Sequence, residues 1–251
     1  MFNLALAEPV DQLDPARLDP NNPPPAPWTL QATHPMLLEK LANYLASSNW
    51  DLRGFLRLIA QSSAYQLSSR YDGDWNIQSV PLFARHYPRR LDAEEIHDAI
   101  SSATGVFNKY TVQGFGDPIQ FAMQLPDTSE PRSNGAVANF LNSFLRGNRD
   151  TTQRSQDSSI LQQLNLMNDN FVVSRTKVAA SPALMAISKI SDNSSAVEQI
   201  FLTFLSREPS AYEQAHALAY LQNATTATAR SAAIEDLAWV AINKLDFLFS
   251  Y

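Results

Sequence analysis

The stretch LDAEEIHDAI sets Glu94, His97 and Asp98 at i, i+3 and i+4, on one face of a helix. Carboxylate and imidazole groups so placed can move protons or bind cations. Glu-x-x-His is half of a carboxylate-bridged di-iron set, which needs a second such motif and two more Glu on facing helices, and no second motif is expected. The preferred reading is structural: acidic residues in a first turn complement the helix dipole, and Asp92 with Glu95 forms a D-x-x-E capping box. No metal site is assigned. Just upstream, ARHYPRR supplies Arg85, His86, Arg89 and Arg90. Guanidinium forks before a helix N-terminus suit a phosphate, sulfate or carboxylate. The competing reading pairs these cations with Asp92, Glu94, Glu95 or Asp98, and is favoured because opposite charges so near in sequence find each other. LRGNRDTTQRS adds Arg146, Arg149, Asp150 and Arg154. That loop either binds a polyanion or locks two helices, with locking favoured. Trp28, Trp50, Trp75 and Trp239, with Tyr71 and Tyr87, are candidates for a sugar-stacking platform. Trp28 and Trp75 fall in irregular segments, whereas Trp239 reads as core and His34 as a helix cap.

Composition narrows the chemistry. Nineteen basic and 25 acidic side chains leave a net charge of −6, which argues against a general nucleic-acid binder. With no cysteine, disulfides, thiolate metal sites, a Cys nucleophile and covalently attached haem are excluded, so no cofactor is assigned to this chain. Seven glycines leave little room for phosphate-cradling loops, and G-x-S-x-G is absent. Charged residues, at 18%, fall below the usual level of about 25%. No apolar run reaches the length of a membrane span, and MFNLALAEPVDQLD lacks the basic start and long apolar stretch of a signal peptide.

The elements that must position these residues are helical. Pro35 opens one helix, and Asp51 caps a second whose apolar face is Leu52, Phe55, Leu56 and Ile59. Ile96, Ala99, Ile100 and Ala103 follow the Asp92 box and stop at Gly105. Further stripes run through Val137, Phe140, Leu141, Phe144 and Leu145, through Ile160, Leu161, Leu164 and Met167, and through Val197, Ile200, Phe201, Phe204 and Leu205. Pro182 opens a short helix, and Ser210 with Glu213 makes a second capping box. Alternation with period two is nearly absent. The chain therefore reads as all-α, an irregular bundle of about nine helices with an extended Pro-rich arm. The arm covers residues 1–30 and the helical domain 31–251, with a subdomain division expected near 126–134.

Several segments together resemble a family. PWTLQATHPMLLEKLANYLASSNWDLRGFLRLIAQSSAYQLSS, YPRRLDAEEIHDAISSATG, FLRGNRDTTQRSQDSSILQQLNLMNDNFV, FLTFLSREPSAYE and IEDLAWVAINKLDFLFSY are similar to the motifs of the planctomycete-specific C-terminal domain of unknown function. That domain follows cytochrome-c-like modules in exported proteins of Planctomycetes, Acidobacteria and relatives. The family's Cys-Glu-Cys-Glu-Arg-like run is replaced here by Thr151, Thr152, Gln153 and Arg154, so only its arginine is kept. The family domain also begins earlier, with a helix around Asn-Arg-x-Trp that this sequence lacks. The resemblance implies an extracytoplasmic location and upstream, haem-bearing modules as partners, and it brings no activity. The resulting expectation is a non-catalytic assembly or docking module. The alternative is an enzyme or binding module for anionic polysaccharide, using Arg85, His86, Arg89, Arg90, Glu94, His97 and Asp98, with Arg149 and Arg154.

Overall fold

The computed structural model of the chain describes residues 7–9, 30–32, 34–76, 79, 82–114, 116–147 and 159–250. Most of the Pro-rich arm, Trp28, Arg149 and Arg154 lie outside these residues. The fold is all-α. The chain divides into two compact units, the first ending at Arg89 and the second running from Arg90 to Ser250. The 126–134 segment lies inside the second unit, because Arg146 ties the carbonyls of Asp127, Thr128 and Glu130 to it.

In the first unit, β1 (Ala7–Pro9) pairs antiparallel with β2 (Leu30–Ala32), Glu8 opposite Gln31. Helices α1 (Pro35–Ser47) and α2 (Leu52–Ala60) follow. Pro35 stands in the first turn of α1, and the Asp51 carboxylate accepts the Gly54 N–H to start α2. The Tyr44 and Phe55 rings pack α1 on α2, centroids 6.5 Å apart. His34 occupies the N-cap position of α1 without capping through its side chain; its ring lies against Phe83 instead, at 5.0 Å. None of the described residues 34–89 is fully buried. Phe55 and Ile59 of the expected α2 face are half-buried, while Leu52 and Leu56 are exposed.

The second unit holds the core. It begins within β3 (Arg89–Arg90), at Arg90, followed by α3 (Ala93–Thr104), a 3₁₀ turn (Ala122–Gln124), α4 (Gly135–Ser143), α5 (Ile160–Asn168), α6 (Asn170–Arg175) and α7 (Pro182–Ser188). Then come α8 (Asn193–Leu205), α9 (Ala211–Gln222), α10 (Ala227–Ile242), α11 (Leu245–Leu248) and β4 (Phe249–Ser250). Nine of the twelve residues of α3 are buried, which makes it the central helix. Ile96 and Ile100 of α3 meet Phe140, Leu166, Leu184 and Ile200 from four surrounding helices in one apolar cluster. The Glu95 carboxylate accepts the Asp92 N–H to start α3, and Gly105 ends it at φ 72°. Ser181 then joins two helix ends, its hydroxyl donating to the Thr104 carbonyl and accepting the Leu184 N–H. On the surface, the Arg207 guanidinium grips both Glu213 oxygens at 2.9 Å and reaches Asp246 at 3.0 Å, holding the Glu213 carboxyl well below the usual carboxylate range.

At Gly105 an added methyl would meet only Pro182, at 3.6 Å or more, so space does not exclude it. The cost of Gly105→Ala is then the left-handed backbone alone, an expected loss of about 1–2 kcal/mol. Urea unfolding with an unchanged m-value would show it; a loss above that range would point to a packing clash instead.

Candidate functional site

Helix α3 carries Glu94, His97 and Asp98 into the interior, where all three are buried. A charge there is costly unless it is paired and hydrogen-bonded, and each group has its own partners. Glu94 Oε1 accepts from Arg146 Nε at 2.8 Å. The same guanidinium donates to the carbonyls of Asp127 (3.0 Å), Thr128 (2.9 Å) and Glu130. Arg146 thereby fastens a loop 16 to 19 residues upstream to the central helix.

His97 and Asp98 belong to a second network. Asp98 Oδ1 accepts the Ala122 N–H at 2.7 Å and Oδ2 the Met123 N–H at 3.0 Å. Oδ1 also faces His97 Nδ1 at 2.8 Å, and His97 Nε2 lies 2.7 Å from the Tyr110 hydroxyl. Asn108 Nδ2 donates to that hydroxyl at 2.9 Å, while Asn108 Oδ1 accepts from Arg175 Nη2 at 2.8 Å. These partners assign the protons. Asp98 only accepts, so Nδ1 carries the hydrogen; Tyr110 already accepts from Asn108, so it donates to Nε2. Donors therefore run in one direction from Arg175 through Asn108, Tyr110 and His97 to Asp98. The imidazole is stacked on Phe171 with centroids 4.5 Å apart, and the Arg175 guanidinium lies 3.8 Å from the same ring centroid. Burial lowers the His97 pKa, against the raising influence of Asp98, so the ring is neutral. Burial pushes the Tyr110 hydroxyl up to about 12. Burial also lowers the Arg175 pKa, which leaves it a cation at neutral pH.

The basic cluster is distributed. Arg90 is buried, and its Nη2 donates to Gln162 Oε1 on α5. Arg89 is half-buried on β3. Arg85 stacks on aromatic rings, with its guanidinium carbon 4.1 Å from the Trp75 centroid and 5.2 Å from that of Tyr87. His86 donates its backbone N–H to the Ser68 carbonyl at 3.1 Å. Trp50 is exposed, and Trp239 is half-buried with its indole N–H on the Met167 carbonyl at 3.0 Å. Contrary to the expectation of a single motif, a second Glu-x-x-His stands at Glu213 and His216 on α9. There Glu213 is held by Arg207 and Lys244, and His216 Nδ1 meets its own helix at the Tyr212 carbonyl. Among the described residues no three His, Asp or Glu side chains converge as a metal-binding group. A groove of about 450 Å³ runs along Gly116 to Phe121, and an apolar one of about 170 Å³ between α9 and α10 is lined in part by Glu213, His216 and Lys244; neither is lined by Glu94, His97, Asp98 or the arginines of the basic cluster. No helix among the described residues is long and apolar enough to cross a membrane.

Asn108, Tyr110, Gln162 and Arg175 were invisible to motif reading, since each is an ordinary residue at no special spacing. Helix α5 also turns differently from its pattern. Gln162 and Leu166 are buried, while Ile160, Leu161, Leu164 and Met167 are 81%, 60%, 48% and 41% exposed.

The chain belongs to the PSD1 family, described as a protein of unknown function (DUF1553), whose model matches residues 29–221. No curated protein and no solved structure matches the chain.

Two measurements test these networks. Arg146→Met leaves Glu94 buried without its cation and should cost about 3–5 kcal/mol in chemical denaturation; adding Glu94→Gln should recover part of that loss. His97 is neutral in the fold but titrates near 6.5 when unfolded. The unfolded state then binds the extra proton, so stability is full above about pH 6.5 and falls as pH drops toward the lowered folded value. The slope should approach about 1.4 kcal/mol per pH unit. Subtracting the His97→Gln profile isolates it, and parallel profiles would exclude His97 as the source.

Proposed function

We propose that this PSD1-family chain is a non-catalytic docking module whose recognition face is the outer side of α5. The single observation behind this reading is the inverted helix, with its apolar stripe in solvent and its glutamine in the core. Ile160, Leu161, Leu164 and Met167 repeat at i, i+1, i+4 and i+7, the spacing of a helix face that seats an apolar helix. No residue from Ile160 to Asn168 is charged, so a partner meets no uncompensated charge there. The partner's chemistry is therefore that of an amphipathic helix on another protein module. A stable interface buries roughly 800 Å² per partner, more than two turns of one helix supply, so α5 is the anchor of a larger contact. The groups suited to catalysis, Glu94, His97 and Asp98, are committed to internal partners, which supports a scaffold over an enzyme. Upstream modules of an exported, cytochrome-associated protein are the partners that the family resemblance suggests.

A photo-crosslinking residue at Leu161, introduced in the source cells, tests this directly. Crosslinks to one polypeptide, or to one further module of the same polypeptide, are expected well above those from a probe at exposed Asn223. Equal yields at the two positions would reject α5 as the docking face. Leu161→Glu should change stability by no more than about 0.5 kcal/mol, because the side chain packs little, while abolishing the crosslink from a probe placed at Leu164.

A further inference from the structure

Within the first unit, the turn Tyr71 to Trp75 and the segment Arg85 to Tyr87 bring together aromatic faces and a cation. The Trp75 and Tyr87 rings meet edge to face at 5.6 Å, and the Tyr71 and Trp75 rings at 5.3 Å. Arg85 sits against both Trp75 and Tyr87. Among the described residues it has no carboxylate partner, in a chain that carries 25 acidic residues. Stacking restrains the guanidinium plane without using its in-plane donors. Its Nε is buried with no hydrogen-bond partner, and so is the Tyr87 hydroxyl. Buried donors are nearly always matched by an acceptor. Two unmatched donors on neighbouring side chains, one of them cationic, call for an oxyanion rather than a neutral carbonyl.

The same turn offers more than a charge. Tyr71 is 42% exposed and presents its ring beside Trp75. Gly73 folds beneath it, where a side chain would meet the Tyr71 ring at 3.1 Å. Asp72 and Asp74 are exposed on either side of that glycine. Exposed carboxylates repel a bare anion but accept hydrogen bonds from hydroxyls. A ligand that satisfies all these groups has one carboxylate, several hydroxyls and an apolar ring face.

We propose that Tyr71, Asp72, Asp74, Trp75, Arg85 and Tyr87 form a subsite for an acidic sugar residue, its carboxylate on Arg85, its hydroxyls on the aspartates and its ring face on Tyr71. The subsite is independent of the α5 docking face and lies in the other unit. It uses only Arg85 of the basic cluster and none of the buried α3 carboxylates.

Calorimetry of the full chain with a uronic-acid oligosaccharide, its carboxyl-reduced neutral counterpart and inorganic sulfate tests the assignment. The oligouronide is expected to bind, with roughly tenfold weaker affinity in Arg85→Gln and in Tyr71→Ala, and the neutral oligosaccharide to bind more weakly than the acidic one. Arg85→Lys keeps the charge but not the fork, so it should also weaken binding; it serves if Arg85→Gln fails to fold. No oligouronide binding by the wild type, or binding unchanged in Arg85→Lys and Tyr71→Ala, would overturn the proposal. Sulfate alone competing as well as the oligosaccharide would make this a simple anion site and reject the sugar.

Discussion

Two carboxylates and an imidazole enter the core on one face of α3, and the second unit is arranged around satisfying them. A helix buried on nine of twelve positions cannot turn such groups to water. Every one must find a partner inside, and an unmatched buried charge would cost more than most single contacts contribute. The partners come from far along the chain. Arg146 reaches Glu94 across 52 residues, and Arg175 reaches Asn108 across 67. Because each partner also binds backbone carbonyls, the networks pin loops as well as charges. The Asp127 to Glu130 segment is fixed by Arg146, and the 3₁₀ turn by Asp98. The polar interior thus specifies the paths of the irregular segments, which the apolar contacts between helices leave open.

The chain of donors ending at Asp98 resembles a proton-transfer relay in its residue types, yet its surroundings argue for structure. Both ring nitrogens of His97 are occupied, and the imidazole is closed in by Phe140 and Phe171. Burial keeps the ring neutral, and a neutral ring donates at one nitrogen and accepts at the other, which is what Asp98 and Tyr110 require. Protonation would set two donors against each other at Nε2. The arrangement gains rigidity from having one consistent proton assignment, and that same consistency makes it sensitive to acid.

What the sequence made legible was local. Asp51, the Asp92–Glu95 box, Gly105, Pro182 and the Ser210–Glu213 box act within three or four residues, so type and spacing sufficed to place helix ends. The Ile96–Ile100 and Val197–Phe204 faces read correctly because apolar burial governs those helices. Helix α5 did not, and the reason is physical. Its rotation is set by Gln162, whose Oε1 accepts the Ser159 N–H of the cap and the Arg90 guanidinium together. The buried Arg90 requires acceptors, and Gln162 turned inward supplies one. Periodicity weighs four apolar residues above one glutamine, whereas the fold weighs the partner of a buried cation above four exposed apolar side chains.

The arginines divide the molecule by the same logic. Arg90, Arg146 and Arg175 are buried and find oxygen acceptors supplied by the chain itself, so their charge serves the fold. Arg207 is matched on the surface by Glu213 and Asp246. Arg85 departs from this pattern: it is held in place by aromatic faces, which restrain the guanidinium without neutralising it. Arg175 is satisfied by two carbonyls and an amide without any carboxylate, whereas the Arg85 Nε has no acceptor of any kind. Holding a cation by its faces keeps its donors oriented for a group that the chain does not provide. Under the proposed acidic-sugar subsite, that distinction, between cations whose acceptors are internal and one held by ring faces, separates recognition from architecture among residues that a sequence motif lists side by side.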